Sequence, residues 1–456
     1  MENMKFCEKI FYHIYALGLG GCQRYNDFSC GPGDFFEKLE SDLDRIKGLG
    51  CNALLIGPIF ESCAHGYDTL DYFHVDRRLG NNEKFARFAK ICHEKGFSLC
   101  LDAVFNHTGR EFFAFKDLIQ KGRESQFCGW YKNLNFDGRS CYGDPFDYEG
   151  WAGCKDLVKL NLRNQDVQNH IFSAVEFWIN EFGIDGLRLD ASDVIDKDFL
   201  SSLAGFCKSK KNGFWLMGEV VHGDYTQWAC KDRIDSVTNY QIYKALWSSV
   251  NDNNFFELSY NLEREFDCHR GLYNYSALYN FADNHDVNRL GSVLKEPEKK
   301  INLVYSLEWT IPGIPSVYYG SEYGIRGERK NGTDFELRPC LPPFGPMPEF
   351  AWPNFEGQKV YNHISRLSWI RNSSEALQKG TFRLATVSNK QIGFWREYGA
   401  QRILVLANIS DNIEMEGDWI EEGEYEDLFD GTKYYVHGRK SFFIHRNAVM
   451  ILKKLS

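Results

Sequence analysis

The chain has 456 residues, of which 43% are hydrophobic, and its 63 acidic and 53 basic residues give a net charge of −10. This acidic balance, without a dense run of Lys or Arg, argues against nucleic acid as a partner. No stretch reaches the roughly 18 uninterrupted apolar residues that a spanning helix needs, so we expect no membrane role.

The start of the chain lacks the basic residues, apolar stretch and small-residue cleavage site of a secretory signal. The 14 Cys are scattered, with no CxxC pair and no metal-ligand spacing, which favours buried thiols over a disulfide framework. Together these features favour a reducing compartment. We therefore expect a cytoplasmic protein without cofactor or bound metal, and the sequence leaves its oligomeric state open.

The chain then alternates strand-like and helix-like segments. Residues 10–17 are apolar, β-branched and aromatic, residues 34–49 carry apolar side chains at helical spacing before Gly50, and residues 52–59 are apolar almost throughout. A strand that is apolar almost throughout must be covered on both faces, as in a parallel sheet wrapped by helices. Further predicted helices are 82–95 and 165–181, and further predicted strands are 97–105, 186–191, 214–221, 236–240, 279–282 and 316–319. Eight strands in this alternation predict an α/β fold of the (β/α)8, or TIM, barrel type.

Two segments depart from the alternation. Residues 108–164 are rich in Gly, Asp and aromatic residues and are too long for an ordinary connection, so we predict an inserted subdomain after the third strand. From residue 380 the pattern changes to short strands separated by turn residues, which predicts an antiparallel β domain over 380–456. The barrel would then comprise residues 1–107 and 165–379.

Charged side chains collect at the carboxyl ends of the predicted strands, where TIM barrels carry their active sites. In residues 186–191, GLRLDA, alternation puts Arg188 and Asp190 on one face of a strand. A solvated ion pair at a strand end is the alternative. The other side chains expected at this mouth are Asp102, His107, Glu219, His285 and Asp286.

Four of these strand ends resemble, in order and spacing, the short regions that define the α-amylase family of glycoside hydrolases. They read DAVFNH at 102–107, GLRLDASDV at 186–194, GEVVH at 218–222 and FADNHD at 281–286. The segment HGYDTLDY at 65–72 is similar to the strand-two loop of that family. The resemblance covers the whole barrel and implies an enzyme that cleaves α-glucosidic bonds.

The resemblance also implies a role for each polar residue. Asp190 would be the nucleophile, Glu219 the general acid and then base, and Asp286 the third carboxylate. A retaining reaction needs two carboxyl groups about 5 Å apart on opposite sides of the sugar. We expect the charge of Arg188 to keep Asp190 ionised, while Glu219 must hold a proton near neutral pH. The residues expected to bind substrate are Tyr67, Asp102, His107, Arg188, His285 and Arg289.

The stretch DLVKLN at 156–161 carries Lys159 where many family members have an acidic residue. In secreted amylases that acidic position helps to hold calcium, together with the position that matches Asn106. An ammonium group repels a cation, so we expect no structural calcium here.

The KLN motif, with YDTLDYF and GEVVHGDYTQW, looks most like the neopullulanase and cyclomaltodextrinase branch. The long amino-terminal domain usual in that branch is not expected, and Val221 stands where the branch has an aromatic residue. Aromatic side chains in segments expected to face the cleft are candidate sugar platforms. They are Trp130, Tyr131, Trp151 and Trp228.

We therefore predict a retaining α-glucan hydrolase that cleaves α-1,4 bonds of maltooligosaccharides or cyclodextrins through a covalent intermediate. A 4-α-glucanotransferase or a glucosyl isomerase using the same site is an alternative. A carbohydrate-binding barrel without catalysis is a third possibility, although all three carboxylates of the family are present.

Overall fold

The computed structural model describes residues 6–274 and 276–456. Its first part contains the strands β1 (Phe11–Ile14), β2 (Ala53–Ile56), β3 (Phe60–Ser62), β4 (Thr69–Val75), β5 (Ser98–Ala103), β6 (His107–Gly109), β7 (Gly150–Trp151), β8 (Cys154–Lys159), β9 (Gly186–Leu189), β10 (Trp215–Gly218), β11 (Ser236–Val237) and β12 (Ser316–Tyr318). Its helices are α1 (Ala16–Leu19), α2 (Phe35–Gly48), α3 (Asn82–Glu94), α4 (Phe113–Lys121), α5 (Gln165–Phe182), α6 (Lys197–Lys210), α7 (Tyr240–Asp252), α8 (Phe256–Phe266), α9 (Leu290–Val293), α10 (Pro297–Thr310), α11 (Gly357–Asn372) and α12 (Glu375–Lys379). Short 3-10 turns lie at Gly122–Glu124, Cys128–Trp130, Ser192–Val194, Tyr225–Gln227, Ser321–Tyr323, Phe335–Leu337 and Glu349–Ala351.

A curled parallel sheet forms the centre of the molecule, with strand order β11-β10-β9-β5-β2-β1-β12. Every residue of β1 and β2 is buried, as expected for strands covered on both sides. The α2 helix covers the sheet with the apolar residues predicted from helical spacing, including Phe36, Leu39 and Leu43. The predicted (β/α)8 barrel is therefore confirmed.

The seventh predicted strand differs from the prediction. Residues 279–282 do not form a strand, and the first residue of this segment makes one bridge to Thr238 and one to Ile314. The hydroxyl of Ser316, rather than a backbone N–H, donates to the carbonyl of Asn280 at 2.8 Å. The Ser316 side chain thus occupies a carbonyl that would accept a backbone N–H if the two segments paired over a longer stretch. The sheet is therefore closed at this position by isolated bridges.

The turn from α5 into β9 positions the strand that carries Arg188. The helix begins at Asn164, whose side chain accepts two backbone N–H bonds, and it ends at Gly183 in the left-handed conformation, with φ of 66°. At Gly186 an added Cβ would lie 2.6 Å from the carbonyl oxygen of Trp215, so only Gly lets β9 and β10 approach this closely. The ends of β9 and β10 therefore lie side by side.

The segment predicted as an insertion contains α4 and a three-stranded sheet of order β6-β8-β7. Within it, His107 pairs with Lys159 across β6 and β8. This pairing connects the end of the third barrel strand to the insertion, so the insertion forms one wall above the carboxyl ends of the strands.

The last part of the chain is antiparallel. Its strands are β13 (Thr381–Val387), β14 (Gln391–Tyr398), β15 (Gln401–Asn408), β16 (Ile413–Glu416), β17 (Gly423–Asp427), β18 (Lys433–Val436), β19 (Ser441–Ile444) and β20 (Ala448–Lys454). They form a sheet of order β13-β14-β15-β20-β17-β18 and a separate two-stranded antiparallel sheet of β16 and β19. None of the helices in the described parts of the chain has the length and apolarity needed to cross a membrane.

Candidate active site

Arg188 lies at the centre of a carboxylate cluster at the carboxyl end of the barrel. Its Nη1 is 2.7 Å from both oxygens of Asp102 and 3.1 Å from Oδ1 of Asp190. Its Nη2 is 2.9 Å from Oε2 of Glu219. Arg188 is only 3% exposed, so a solvated ion pair is excluded. The ends of three neighbouring strands thus bring three carboxylates to one guanidinium.

The charge of Arg188 is shared among three carboxylates, of which Asp102 and Asp190 are buried. Burial raises the pKa of Asp190 well above its ordinary value, Arg188 opposes this rise, and Glu219 and Asp102 add to it. Arg188 therefore lowers the pKa of Asp190, as expected from its charge, but does not outweigh burial. The expectation that Asp190 is ionised stays a prediction.

Glu219 is held by a backbone group as well as by Arg188. The N–H of Ala191 donates to its Oε2 at 3.0 Å. Ala191 has φ of 48° and ψ of 41°, a left-handed conformation that non-glycine residues rarely adopt. Such local strain is concentrated at functional sites. Here the unusual backbone turns the amide directly after Asp190 toward the second carboxylate.

Asp286 lies in a different electrostatic environment. Its two oxygens are 2.9 Å from Nε2 of His285 and 2.9 Å from Nη2 of Arg338. Burial alone would raise the pKa of Asp286, but His285, Arg338 and Arg188 outweigh burial and hold this pKa well below its usual range. Asp286 is therefore an anion at all ordinary pH values, while its side chain remains 28% exposed to the cleft.

Tyr67 and the two histidines line the same site. The hydroxyl of Tyr67 donates to Oδ2 of Asp102 at 2.9 Å and lies 2.5 Å from Nε2 of His285, whose ring stacks on the Tyr67 ring with centroids 5.7 Å apart. His107 Nε2 lies 3.1 Å from the backbone oxygen of Tyr67. Burial lowers the pKa of His107 to about 4, so this ring is neutral at pH 7. The cluster presents hydroxyl and imidazole groups around the carboxylates.

Arg289 does not lie where a substrate-binding residue must lie. It is completely buried, and its guanidinium donates to the carbonyls of Tyr319 at 2.6 Å and Leu337 at 2.8 Å. Its cation also lies over the Tyr318 ring, 3.9 Å from the centroid. The prediction of direct substrate contact by Arg289 is wrong, because its donors are used to fix the loop after β12.

Arg338, in that same loop, is a cation beside the site carboxylates that the sequence did not indicate. Its Nε donates to the carbonyl of His285 at 3.1 Å, and its Nη2 contacts both Asp286 and Asp334. Its sequence context, DFELRP at 334–339, carries charges of both signs within a loop. Nothing in its spacing indicates which of its charged side chains turns toward the barrel.

The residues near Asn106 do not fit a calcium ion. The ammonium of Lys159 lies 2.7 Å from Oε1 of Glu149, and the amide of Asn106 contacts Nδ1 of His107 at 3.2 Å. A hard cation needs six or more oxygen ligands, whereas here a fixed positive charge already neutralises the carboxylate. Among the described residues no group of three or more His, Cys, Asp or Glu could hold a metal.

Of the four aromatic residues considered as sugar platforms, one is open to solvent. Trp151 is 37% exposed, and its ring lies 5.8 Å from that of His107. Trp130, Tyr131 and Trp228 are each less than 8% exposed and pack in the interior. Trp151 therefore combines exposure with a place beside the cleft.

The match to known proteins extends over most of the chain. A model of the α-amylase catalytic domain matches residues 29–338. A cyclomaltodextrinase of Geobacillus thermopakistaniensis is 30% identical over 423 residues, which cover 89% of this chain and 69% of that relative. Neopullulanase 2 of Thermoactinomyces vulgaris is 33% identical over 358 residues, or 76% of this chain and 57% of that relative. This chain thus spans less than three quarters of either relative.

A solved structure has the same fold over nearly the full length. The ligand-free cyclic α-maltosyl-(1→6)-maltose hydrolase of Arthrobacter globiformis superposes with a TM-score of 0.82 at 22% identity. The superposition covers 99% of this chain and 100% of that one. At this identity the likeness establishes the architecture and leaves the chemistry to the residues of the site.

Proposed function

Since this chain belongs to the α-amylase family of glycoside hydrolases, we propose that it hydrolyses α-1,4-glucosidic bonds of maltooligosaccharides or cyclodextrins with retention of configuration. One observation carries this proposal: Asp190 and Glu219 contact the two terminal nitrogens of the same buried guanidinium. Two carboxyl groups that contact one guanidinium lie close together, and a double displacement needs two carboxyl groups near each other.

In the first step, a carboxylate oxygen of Asp190 attacks the anomeric carbon while the bond from that carbon to the leaving sugar oxygen breaks. Glu219 gives its proton to the departing oxygen. In the second step, Glu219 takes a proton from water, the water oxygen attacks the anomeric carbon, and the bond to Asp190 breaks. The two carboxyl groups together begin and end each cycle with one proton, so the reaction is balanced.

The other polar residues serve the sugar ring in this proposal. Asp286, held ionised by His285 and Arg338, accepts hydrogen bonds from ring hydroxyls and stabilises positive charge that develops at the anomeric carbon. Tyr67, His107 and His285 supply hydrogen-bonding groups beside the carboxylates. Arg188 keeps the nucleophile and the acid in their relative positions.

The proposed substrate class is supported by the relatives and by two aliphatic residues. The similar proteins are named cyclomaltodextrinase and neopullulanase. Val194 is 45% exposed and Val221 follows Glu219 by two residues, and neither side chain offers an aromatic face to a sugar ring. We infer that short maltooligosaccharides and cyclodextrins are favoured over long polymers.

We also propose a reducing location for the protein. Cys30, Cys141 and Cys154 are exposed thiols, and exposed thiols persist where glutathione and thioredoxin keep cysteines reduced. Fractionation of cells that produce the protein would place it, and recovery in the oxidising extracellular medium would overturn this location.

The decisive experiment compares wild-type protein with Asp190→Asn on maltoheptaose, a cyclodextrin and pullulan. We expect wild-type turnover with α-configured products and a loss of at least 1,000-fold in Asp190→Asn, since the nucleophile is removed. Asp198→Asn is the matched control, because Asp198 is an exposed carboxylate on α6 away from Arg188. Unchanged turnover in Asp190→Asn would refute the assignment, and products longer than the substrate would indicate a glucanotransferase.

A further inference from the structure

The two carboxylate oxygens of Glu219 have different surroundings. Oε2 accepts the Ala191 N–H at 3.0 Å and contacts Arg188 at 2.9 Å. Oε1 has a single hydrogen-bond partner in the described part of the chain, the hydroxyl of Tyr240 at 3.3 Å. The protein thus distinguishes two oxygens that are chemically equivalent in a free carboxylate.

This difference decides which oxygen can carry a proton. The Ala191 amide and the Arg188 guanidinium are donors with no acceptor function. A proton on Oε2 would therefore point at two donors and lose both contacts. The Tyr240 hydroxyl can donate to an ionised Oε1 and, after rotation about its C–O bond, accept from a protonated Oε1. Only Oε1 has a neighbour that suits both protonation states.

From this contact pattern we propose that Tyr240 is a positioning residue that makes Oε1 the proton-carrying oxygen of Glu219. This inference rests on the proposed function, in which Glu219 is the acid and then the base. During proton donation the hydroxyl of Tyr240 accepts from Oε1 until the glycosidic oxygen replaces it. When Glu219 is ionised and acts as base, the same hydroxyl donates to Oε1 and keeps it directed toward the incoming water.

Tyr240 is well held for this role. It is the first residue of α7, separated from the end of β11 by two residues, and its ring packs edge-on against Phe281 with centroids 5.0 Å apart. Burial, followed by the charge of Glu219, raises the pKa of Tyr240 well above its ordinary value, so the hydroxyl keeps its proton. A half-buried, packed ring with two side-chain torsions loses little freedom when its hydroxyl is aligned.

A chain of hydrogen bonds links this hydroxyl to the third carboxylate. Asn284 Nδ2 lies 3.5 Å from the Tyr240 oxygen, and Asn284 Oδ1 accepts the backbone N–H of Asp286 at 2.8 Å. A sugar that draws Asp286 toward its ring hydroxyls would therefore act, through Asn284, on the hydroxyl that faces Glu219. The loop after β11 and the loop that carries Asp286 thus cooperate in aligning the acid.

The test is Tyr240→Phe, which keeps the ring and its packing and removes one oxygen. The hydrogen bond between Tyr240 and Glu219 is long, so its free energy should lie at the low end of the range for hydrogen bonds to charged groups. We therefore expect kcat/KM on maltotriose to fall roughly tenfold. Activated aryl α-glycosides, whose leaving groups need little protonation, should lose about twofold or less. Tyr243→Phe is the matched control, because Tyr243 lies one helical turn further along α7 and packs on the same Phe281 ring.

A pH profile separates this role from simple packing. The Tyr240 hydroxyl binds the ionised carboxylate more strongly than the neutral one. Its removal therefore favours the protonated form, and the alkaline limb of kcat/KM should move up by about one pH unit, the shift equivalent to tenfold. The charged groups that must be unchanged in the variant are Arg188, which contacts Glu219 at 2.9 Å, and Asp190, on whose pKa Glu219, Asp102 and Asp286 all act.

The possible results distinguish a failure of the role assigned to Tyr240 from a failure of the proposed function. Equal losses on maltotriose and on aryl glycosides, with an unmoved alkaline limb, would overturn the role of Tyr240 while leaving the proposed function intact. Absence of turnover by the wild-type protein on every α-glucan would instead overturn the proposed function. Should Tyr240→Phe melt at a much lower temperature than wild type, Asn284→Ala provides the second variant, and a smaller shift in the same direction is expected because the hydroxyl loses its donor.

Discussion

Replacement of Arg188 by Met is the sharpest test of the electrostatic argument. The side chain keeps most of its apolar length but leaves Asp102, Asp190 and Glu219 without the guanidinium that each contacts within 3.1 Å. Removal of one partner from a buried ion pair costs about 3–5 kcal/mol in the free energy of unfolding. Three carboxylates lose their partner here, so we expect at least the upper part of this range at pH 8.

The loss should depend on pH in a definite direction. Without Arg188, the pKa of Asp190, already raised by burial, rises further. The folded variant then binds more protons than the unfolded chain, so its stability falls as pH rises between the unfolded and the folded pKa. We therefore expect the difference from wild type to shrink at pH 5, where the carboxyl groups can take up protons.

The measurement is urea unfolding followed by tryptophan fluorescence at pH 5 and pH 8, with matched activity assays. Arg188→Lys keeps the charge but cannot contact three carboxylates at once. We expect it to recover most of the stability and little of the turnover. A stability loss below about 1 kcal/mol in Arg188→Met, or a loss independent of pH, would refute the view that the charge of Arg188 stabilises this cluster of carboxylates.

Three further outcomes follow from the site. Exhaustive chelation should leave turnover and melting temperature unchanged, because Lys159 with Glu149 takes the place of a cation; an irreversible loss rescued by calcium would contradict this. Arg289→Gln should lower the melting temperature and raise KM through displacement of the loop that carries Arg338, detected by calorimetry and steady-state kinetics, whereas a change in KM at unaltered stability would point to direct substrate contact. Trp151→Ala should raise KM for maltooligosaccharides about three- to tenfold, equivalent to roughly 0.5–1.5 kcal/mol of aromatic contact, with little change in the melting curve; Trp369→Ala, an exposed Trp on α11, is the control.

The fold could be predicted from the sequence because it depends on patterns that are local. The apolar runs of β1 and β2 and the helical spacing of α2 each indicate their own burial, and their alternation indicates a barrel. The seventh predicted strand is the exception. Residues 279–282 read as a strand, yet they make only single bridges to Thr238 and Ile314, since pairing over a longer ladder depends on neighbours distant in sequence.

Much of the candidate site could also be predicted from the spacing of charged residues along the sequence. Two residues of separation put Arg188 and Asp190 on one strand face, and four strand ends with charged residues indicate one mouth. The roles of Asp190, Glu219 and Asp286 stay predictions until variants are assayed. The structure adds that the carboxylates of Asp190 and Glu219 share one guanidinium.

The amino-acid sequence by itself determined the kind of protein: a barrel whose strand ends carry acids, a cation and imidazoles, because these properties repeat with the period of strands and helices. Only the tertiary structure decided which arginine faces the cleft, Arg338 rather than Arg289, and that Tyr240 meets Glu219. The physical reason is that a loop side chain takes its direction from packing partners far along the chain. The raised pKa of Asp190 was likewise decided there, since it depends on burial and on the charges that surround this one carboxyl group.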